Sequence, residues 1–301
     1  MRQAWVIAAG WGNGVKLDLL DVFCKGPLTG NPLAVVRGSD LLAPAQMMAL
    51  TRWLGFSETT FLLPPIDPRA DYRVRIFYAG GELPFAGHPT LGTCQAWLAA
   101  GGKPKSGGCI ESAHIVQECG IGLVQVRRDG ERLAFMAPPL IRSGPLSGEE
   151  LAEAVRIAGV DPASVVEAVH IANGPKWQLL MLRSADDVLA AHPVSRAPVG
   201  TDIGIAARAA AGSGADWELR AFFANGLGQI AEDPVTGSFN AGLALHLFAT
   251  GRAKSSYIAA QGRTTGADGE VHCVQDEDGA VWIGGKVATV SSGGDLLADV
   301  F

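Results

Sequence analysis

Charge is scarce in this chain of 301 residues: Asp, Glu, Lys and Arg make up 18 % of it, with 24 basic against 30 acidic side chains and a formal net charge of −6. No cluster of Lys and Arg stands out, so neither nucleic acid nor an anionic membrane surface is an expected partner. Long apolar runs are missing too; the longest fall short of the roughly 18 residues a spanning helix needs. The opening stretch Trp5 to Gly10 is too short, and too weakly basic before it, to be a signal peptide, and a cytoplasmic protein is expected. The five cysteines, Cys24, Cys94, Cys109, Cys119 and Cys273, are odd in number and lack C-x-x-C spacing, which argues against a disulfide framework and a zinc site. His114 and Glu118 lie four apart in a stretch that reads as strand, with no third ligand nearby. Neither a phosphate-binding loop nor a dinucleotide fingerprint is present. We therefore expect no metal and no cofactor.

What is there centres on Glu82 to Gly101, ELPFAGHPTLGTCQAWLAAG. Gly87 permits close backbone approach, His88 stands where an N-cap would be, and Pro89 falls at the first helical position, where its missing N–H costs nothing. From Pro89 to Gly101 no residue is charged, and a helix apolar all round is normally enclosed by protein. If such a helix opens its N-terminus to solvent at Gly87 and His88, its unpaired N–H groups and its dipole make a site for a carboxylate. About 150 residues later the pattern returns without a gap as Glu232 to Gly251, EDPVTGSFNAGLALHLFATG. Glu82 falls on Glu232, Pro84 on Pro234, Gly87 on Gly237, Gly92 on Gly242 and Gly101 on Gly251, and Ser238 after Gly237 is an N-cap candidate. Two unrelated apolar helices would be the plain explanation. The sharper one is a duplication: two domains, each with a buried central helix, whose N-termini face one site. The length suits two domains.

The remaining elements follow from periodicity and turn chemistry. Strands are predicted at Lys16 to Phe23, Leu33 to Val36, Ser57 to Leu63 and Asp71 to Tyr78, with a helix over Ala43 to Trp53 stopped by Gly55. Further strands are predicted at Cys109 to Glu111, Gly122 to Arg127 and Glu131 to Ala137, with Asp129-Gly130 as a hairpin turn. Pro138 to Pro145 is the candidate linker. Beyond it, Ser147 and Glu150 form a capping-box pattern for a helix to Ala158. Strands are expected at Val165 to Ile171, Trp177 to Leu182, Trp217 to Phe223, Tyr257 to Ala259, Val271 to Val274 and Val281 to Ile283, and a short helix at Ala185 to Ala191. Ser195 to Gly214 has no clear pattern. Residues 1–14 suggest a small extension or an edge strand.

Glu58 lies in FSETTFLLP, flanked by Phe56, Phe61 and Leu62. A lone glutamate at a strand end is ordinarily solvated. A desolvated one has a raised pKa and suits acid or base work near neutral pH. Four blocks in order, GNPLAV (Gly30 to Val35), SETTF (Ser57 to Phe61), FAGHPTLG (Phe85 to Gly92) and EDPVTGS (Glu232 to Ser238), resemble the phenazine-biosynthesis PhzF-like isomerases over most of the chain. The resemblance implies an α+β fold similar to diaminopimelate epimerase: two similar domains, each a curled, mostly antiparallel sheet around a central helix, with the active site in the interdomain cleft. The expected division is residues 1–137 and 138–286, with residues from about 287 to 301 a candidate to return to the first domain.

Carried over by position, Glu58 matches the family's general acid/base, and His88, Asp233 and Ser238 match the polar groups that position substrate and assist proton movement. The backbone at Gly87, His88, Gly237 and Ser238 matches the cradle for the substrate carboxylate. The resemblance implies a small-molecule carboxylate as substrate and a homodimer as assembly. Taken alone, His88 reads as a helix cap and Asp233 as an Asp-Pro turn residue. Phe239-Asn240 follows Ser238 where many relatives carry smaller residues, which predicts a narrower pocket or one shaped for another ring. Gly266-Ala267-Asp268 stands where a Gly-Arg pair is expected. Neither helix start carries a thiol, Cys94 being inside the first, which disfavours a two-cysteine racemase. Three readings remain: a cofactor-independent isomerase moving a proton on a small cyclic or unsaturated carboxylate, an epimerase or lyase on the same scaffold, and a non-catalytic small-molecule-binding protein.

Overall fold

A computed structural model describes residues 14–106 and 114–296. The strand expected at Cys109 to Glu111 and nearly all of the opening extension lie outside these residues. The fold is mixed α/β, mostly strands with few helices. The first half runs β1 (Val15–Val22), β2 (Asn31–Arg37), α1 (Pro44–Leu54), β3 (Thr59–Leu63), β4 (Tyr72–Tyr78), β5 (Gly81–Leu83), α2 (Gly87–Ala99), β6 (His114–Cys119), β7 (Gly122–Asp129) and β8 (Arg132–Met136). The second half runs β9 (Arg142–Pro145), α3 (Gly148–Ala158), β10 (Val165–Ala172), β11 (Gln178–Leu182), α4 (Ala185–Leu189), β12 (Asp202–Arg208), β13 (Trp217–Ala224), β14 (Ile230–Asp233), α5 (Gly237–Ala249), β15 (Ser256–Gln261), β16 (Gly269–Gln275) and β17 (Val281–Leu296).

The order of strand pairing repeats. In the first half β1–β2 is antiparallel, β2–β3 parallel, β3–β4 and β4–β5 antiparallel, β4–β6 parallel and β6–β7 antiparallel. In the second half β10–β11, β11–β12, β12–β13, β13–β14, β13–β15 and β15–β16 follow the same sequence of senses. The two sets are joined by β17, which pairs with β16 and β8 near its start and with β1 from Val287 to Leu296. Even an ion pair recurs: Arg75 on β4 grips Glu82 on β5 with two hydrogen bonds of 2.8 and 2.6 Å, and Arg220 on β13 grips Glu232 on β14 at 2.9 and 2.8 Å.

Helices α2 and α5 are both 13 residues long, and most residues of each are buried. Their small residues let strands come close. A Cβ at Gly92 would fall 2.4 Å from the Leu33 side chain, and one at Gly242 would fall 2.5 Å from the Ile171 carbonyl. Helix α2 packs on β1, β2, β8 and β17, and α5 on β10, β16 and β17. Apolar all round, neither helix has a solvent face to offer. Among the described residues no helix is long and apolar enough to cross a membrane.

The local signals for α1 and α3 hold. Gly55 ends α1 in the left-handed conformation at φ 73°. Ser147 Oγ accepts from the Glu150 N–H at 3.1 Å while the Glu150 carboxylate accepts from the Ser147 N–H at 2.9 Å. Other expectations need correction. Pro138 to Pro145 is not simply a linker, because Arg142–Pro145 forms β9 and pairs with β10. The unpatterned stretch Ser195 to Gly214 holds β12, whose DIGIAAR sequence is buried through its middle and so shows no alternation. His88 and Ser238 are not caps. The caps are Ala86 and Thr236, both extended, and each helix begins at its glycine. That leaves the His88 and Ser238 side chains in the first turn, free for other contacts.

Truncating the fully buried Leu91 on α2 leaves a cavity between sheet and helix, so Leu91→Ala is expected to lower stability by about 2–5 kcal/mol. Ser147→Ala, which removes a surface cap, is expected to cost about 1 kcal/mol. Urea unfolding of both variants tests the contrast; similar losses would mean that α2 is not the centre of the core.

Candidate active site

The N-termini of α2 and α5 meet. A Cβ built on Gly87 would lie 2.8 Å from the Gly237 Cα, and one built on Gly237 would lie 2.8 Å from the Gly87 Cα and 3.1 Å from the His88 nitrogen. Each glycine is bare because the other's backbone occupies the space a side chain would need. The first intrahelical bonds run from the Thr90 N–H to the Ala86 carbonyl at 3.2 Å and from the Asn240 N–H to the Thr236 carbonyl at 3.0 Å. The N–H groups before them, at Gly87, His88, Gly237 and Ser238, have no intrahelical acceptor, and neither cap residue bonds them through its side chain. Two positive dipole ends face the same place, which favours an anion there.

Beside this junction three titratable groups come together from separate segments. Glu58 is not in a strand as expected; it precedes β3, in the loop after α1. Its side chain keeps 18 % exposure, yet its Oε2 is sealed from solvent and lies 3.5 Å from Nε2 of His88. Burial, then the nearby Asp233 carboxylate, raises the Glu58 pKa to about 8, against a smaller lowering by a hydrogen bond from Ser57. His88, almost fully buried, has its pKa lowered by burial to about 3 and is neutral. Asp233, at the end of β14, has its pKa raised by burial to about 6, although hydrogen bonds from Thr236 and Asn31 pull it down. Part of the upward shift of Glu58 thus comes from the other half of the chain, through Asp233 on β14. Its sequence neighbours Phe61 and Leu62 point into separate core clusters.

A polar scaffold that sequence reasoning did not assign surrounds Asp233. Asn31, the Asn of the GNPLAV block, donates to Asp233 Oδ1 at 2.8 Å and to the Val235 carbonyl at 3.0 Å. Thr236 Oγ1 donates to Asp233 Oδ2 at 2.7 Å. Gln261 donates to the Asp233 carbonyl at 3.0 Å and accepts from the Thr236 N–H and from Asn240 Nδ2, both at 3.1 Å. Ser238 Oγ accepts from the Trp177 indole N–H at 3.0 Å, and the Ser238 carbonyl accepts from Asn173 Nδ2 at 2.8 Å. The signal for Asn31 was its place in a motif; for Gln261, Trp177 and Asn173 there was none.

Phe239 does not narrow the site. Its ring is fully buried in the core, 5.3 Å from the Trp177 ring, in space left open by Gly204. Asn240 is equally buried and braces Thr236 and Gln261. In the Gly266-Ala267-Asp268 loop, the Asp268 N–H reaches across to the Thr29 carbonyl at 2.8 Å and no arginine stands there. Glu118 accepts from the backbone at Ile66 and Asp67, away from any ligand partner. Among the described residues no group of three His, Cys, Asp or Glu is arranged to hold a metal ion. Two surface hollows, of about 320 and 660 Å³, border neither Glu58 nor the helix ends, so here it is chemistry, not volume, that marks the site.

Residues 20–293 match the phenazine biosynthesis-like protein family, PhzC-PhzF. The chain belongs to that family. A Schizosaccharomyces pombe protein named antisense-enhancing sequence 1 is 32 % identical over 92 % of this chain and 97 % of its own length. The trans-2,3-dihydro-3-hydroxyanthranilate isomerase of Pseudomonas fluorescens is 34 % identical over 76 % of this chain and 78 % of its own. Among solved structures, a predicted epimerase from Pseudomonas aeruginosa superposes with a TM-score of 0.75 at 26 % identity, covering 94 % of this chain and 99 % of that one. The family membership accounts for the motif blocks and their order.

Glu58 holds its proton to higher pH in the folded protein than in the unfolded chain. Its contribution therefore favours the fold fully below about 4.5 and is lost as pH rises through about 8. Asp233 acts with the same sign in the lower window, from about 3.8 to about 6. Glu58→Gln cannot ionise and escapes this loss. Guanidinium unfolding is expected to show the variant gaining on the wild type by more than about 1 kcal/mol between about pH 5 and about pH 8. A constant difference across that range would mean that Glu58 titrates normally.

Proposed function

We propose that this protein is a cofactor-independent isomerase that moves a proton on a small cyclic or unsaturated carboxylate. The observation that carries the reading is the buried Glu58, near-neutral in pKa, beside two uncapped helix N-termini that meet at Gly87 and Gly237. The substrate carboxylate would occupy the N–H groups of Gly87, His88, Gly237 and Ser238, fixing one face of the molecule toward Glu58. Glu58 as carboxylate takes a proton from an activated carbon and, as acid, returns it to another carbon on the same face. Such general acid/base catalysis is worth about 10²- to 10⁴-fold. Asp233, with Asn31 on one oxygen and Thr236 on the other, is held for orientation and charge, and Ser238 borders the cradle. Kinship with an isomerase named for trans-2,3-dihydro-3-hydroxyanthranilate supports the reaction class and makes that compound the natural first probe.

The reading includes a division into two similar domains, residues 1–137 and 138–286, each sheet curled round its helix; the repeated order of strand pairing supports it. It also includes the homodimer that the resemblance implies and the cytoplasmic residence expected from the sequence. An epimerase is the second reading, favoured by the likeness to the Pseudomonas aeruginosa structure and by the raised pKa of Asp233, which could serve a second face. The two differ in product: an isomerase relocates the proton, an epimerase returns it to the same carbon.

Glu58→Gln keeps the shape without the proton. It is expected to retain binding of a carboxylate ligand and to lose turnover and solvent-deuterium incorporation by at least about a hundredfold. His88→Ala and Asp233→Ala are expected to weaken both binding and rate. NMR in D₂O on the probe, comparing wild type with Glu58→Gln, is the test; equal uptake in both removes Glu58 from the chemistry and favours a binding protein. Gly237→Ala, which forces the helix ends apart, is expected to abolish carboxylate binding measured by calorimetry, and unchanged affinity would place the anion elsewhere.

A further inference from the structure

Asn31 is fully buried at the first position of β2, at the end of a loop held by hydrogen bonds and close packing. The Asp21 carboxylate accepts from the N–H groups of Thr29 at 3.0 Å and Gly30 at 2.9 Å. A Cβ at Gly30 would fall 2.2 Å from the Val22 carbonyl oxygen. The loop starts at Phe23, a buried bulky residue at φ 62°, whose carbonyl accepts from the Glu270 N–H at 2.8 Å. Strain of this kind persists only where surrounding structure imposes it.

The partners of Asn31 fix which way its amide faces. The Val235 carbonyl can only accept, so the NH₂ group must lie on that side, with Asp233 Oδ1 taking its other hydrogen. The Asn31 oxygen, on the other side, lies 3.3 Å from Ser57 Oγ. The same NH₂ group is 3.4 Å from Nδ1 of His88. The Asn31 nitrogen has both hydrogens engaged and no lone pair to offer, so a hydrogen on Nδ1 would meet no acceptor there. Burial keeps the ring neutral with a single proton, and that proton is left to Nε2. Nε2 and the Glu58 Oε2 it faces at 3.5 Å are both buried and have no other hydrogen-bond partner among the described residues.

We propose that Asn31 is a positioning residue that holds neutral His88 in the tautomer protonated at Nε2, making His88 a fixed donor to the Glu58 carboxylate. The reaction part of this rests on the isomerase reading above; the tautomer does not. In that reaction Glu58 gains one proton from substrate and gives one back, while the Nε2 hydrogen stays on His88 throughout and stabilises the carboxylate each time it forms. Asn31 also reaches from the first half of the chain to Asp233 and Val235 in the second, so the tautomer is set only when the halves are assembled.

The test is the nitrogen-15 NMR spectrum of the His88 ring in ligand-free protein, assigned by its loss in His88→Gln. The wild type is expected to show a bare Nδ1 and a protonated Nε2. Asn31→Asp replaces the donor by an acceptor and is expected to move the proton to Nδ1. It should also lower deuterium incorporation into trans-2,3-dihydro-3-hydroxyanthranilate by at least about tenfold, less than the roughly 10⁴-fold cost of a wrong tautomer where a histidine is itself the base. Should the new carboxylate prevent folding, Asn31→Ala takes its place, with both tautomers populated as the expected result. A wild-type proton on Nδ1, or a folded variant with an unchanged spectrum, overturns the proposal. The expected tautomer in a wild type that does not turn over the probe supports the role of Asn31 and counts against the isomerase reading.

Discussion

Two glycine backbones in contact set the terms for the rest of this molecule. Helices α2 and α5 bring their N-termini together only because Gly87 and Gly237 carry no side chain; a single methyl group on either would meet the other's Cα. Two helix starts so placed repel one another through their dipoles and leave their first N–H groups unsatisfied. The arrangement tolerates this because the sheets on either side hold the helices, and β17 ties the two sets of strands into one ladder. What the core enforces against electrostatics is a standing demand for an anion.

The charged groups divide by whether a cation accompanies them. Asp18 is buried, but Arg37 binds it through two nitrogens, and Ser292 and Gly293 add hydrogen bonds, which fastens the end of β17 to β1. Glu232 is answered by Arg220, whose guanidinium also donates to carbonyls near α4. These are structural pairs. Glu58 and Asp233 have carboxyl groups close enough to disturb each other, and among the described residues no arginine or lysine is paired with them. Unpaired buried carboxyls hold their protons to higher pH, and that property, costly for stability, is what proton transfer near neutral pH requires.

The matched segments around α2 and α5 place one pattern in structural contacts at some positions and beside the candidate site at others. Glu82 and Glu232 are matched because each holds the arginine of the preceding strand, and Gly92 and Gly242 because a strand passes close by each helix. Gly87 and Gly237 are matched because they touch. One residue on, the symmetry ends: His88 faces Glu58, whereas Ser238 accepts from Trp177. The asymmetry gives one side of the junction a titratable neighbour and the other a hydroxyl.

Much of this was legible from residues alone. The presence of both buried helices followed from uncharged stretches bounded by glycines, though each begins at its glycine and not after His88 or Ser238; α3 followed from a capping box and the end of α1 from Gly55, because these depend on local dihedral and hydrogen-bond preferences. The matched blocks named Glu58, His88 and Asp233 together, and the structure brings them together. Local chemistry could not supply the rest. Strand β12 is buried through its middle and shows no period, and β9 is a strand only because β10 lies beside it. Phe239 looked like a pocket wall until its ring was found under Gly204. Asn31, Gln261 and Trp177 acquire their partners across 28 to 202 residues of chain. By itself the sequence determined the helices, the candidate residues and the family. Which carboxyl is stripped of water, and which nitrogen of His88 faces it, was decided only by tertiary structure, since desolvation and hydrogen-bond direction exist only once distant segments close around a group.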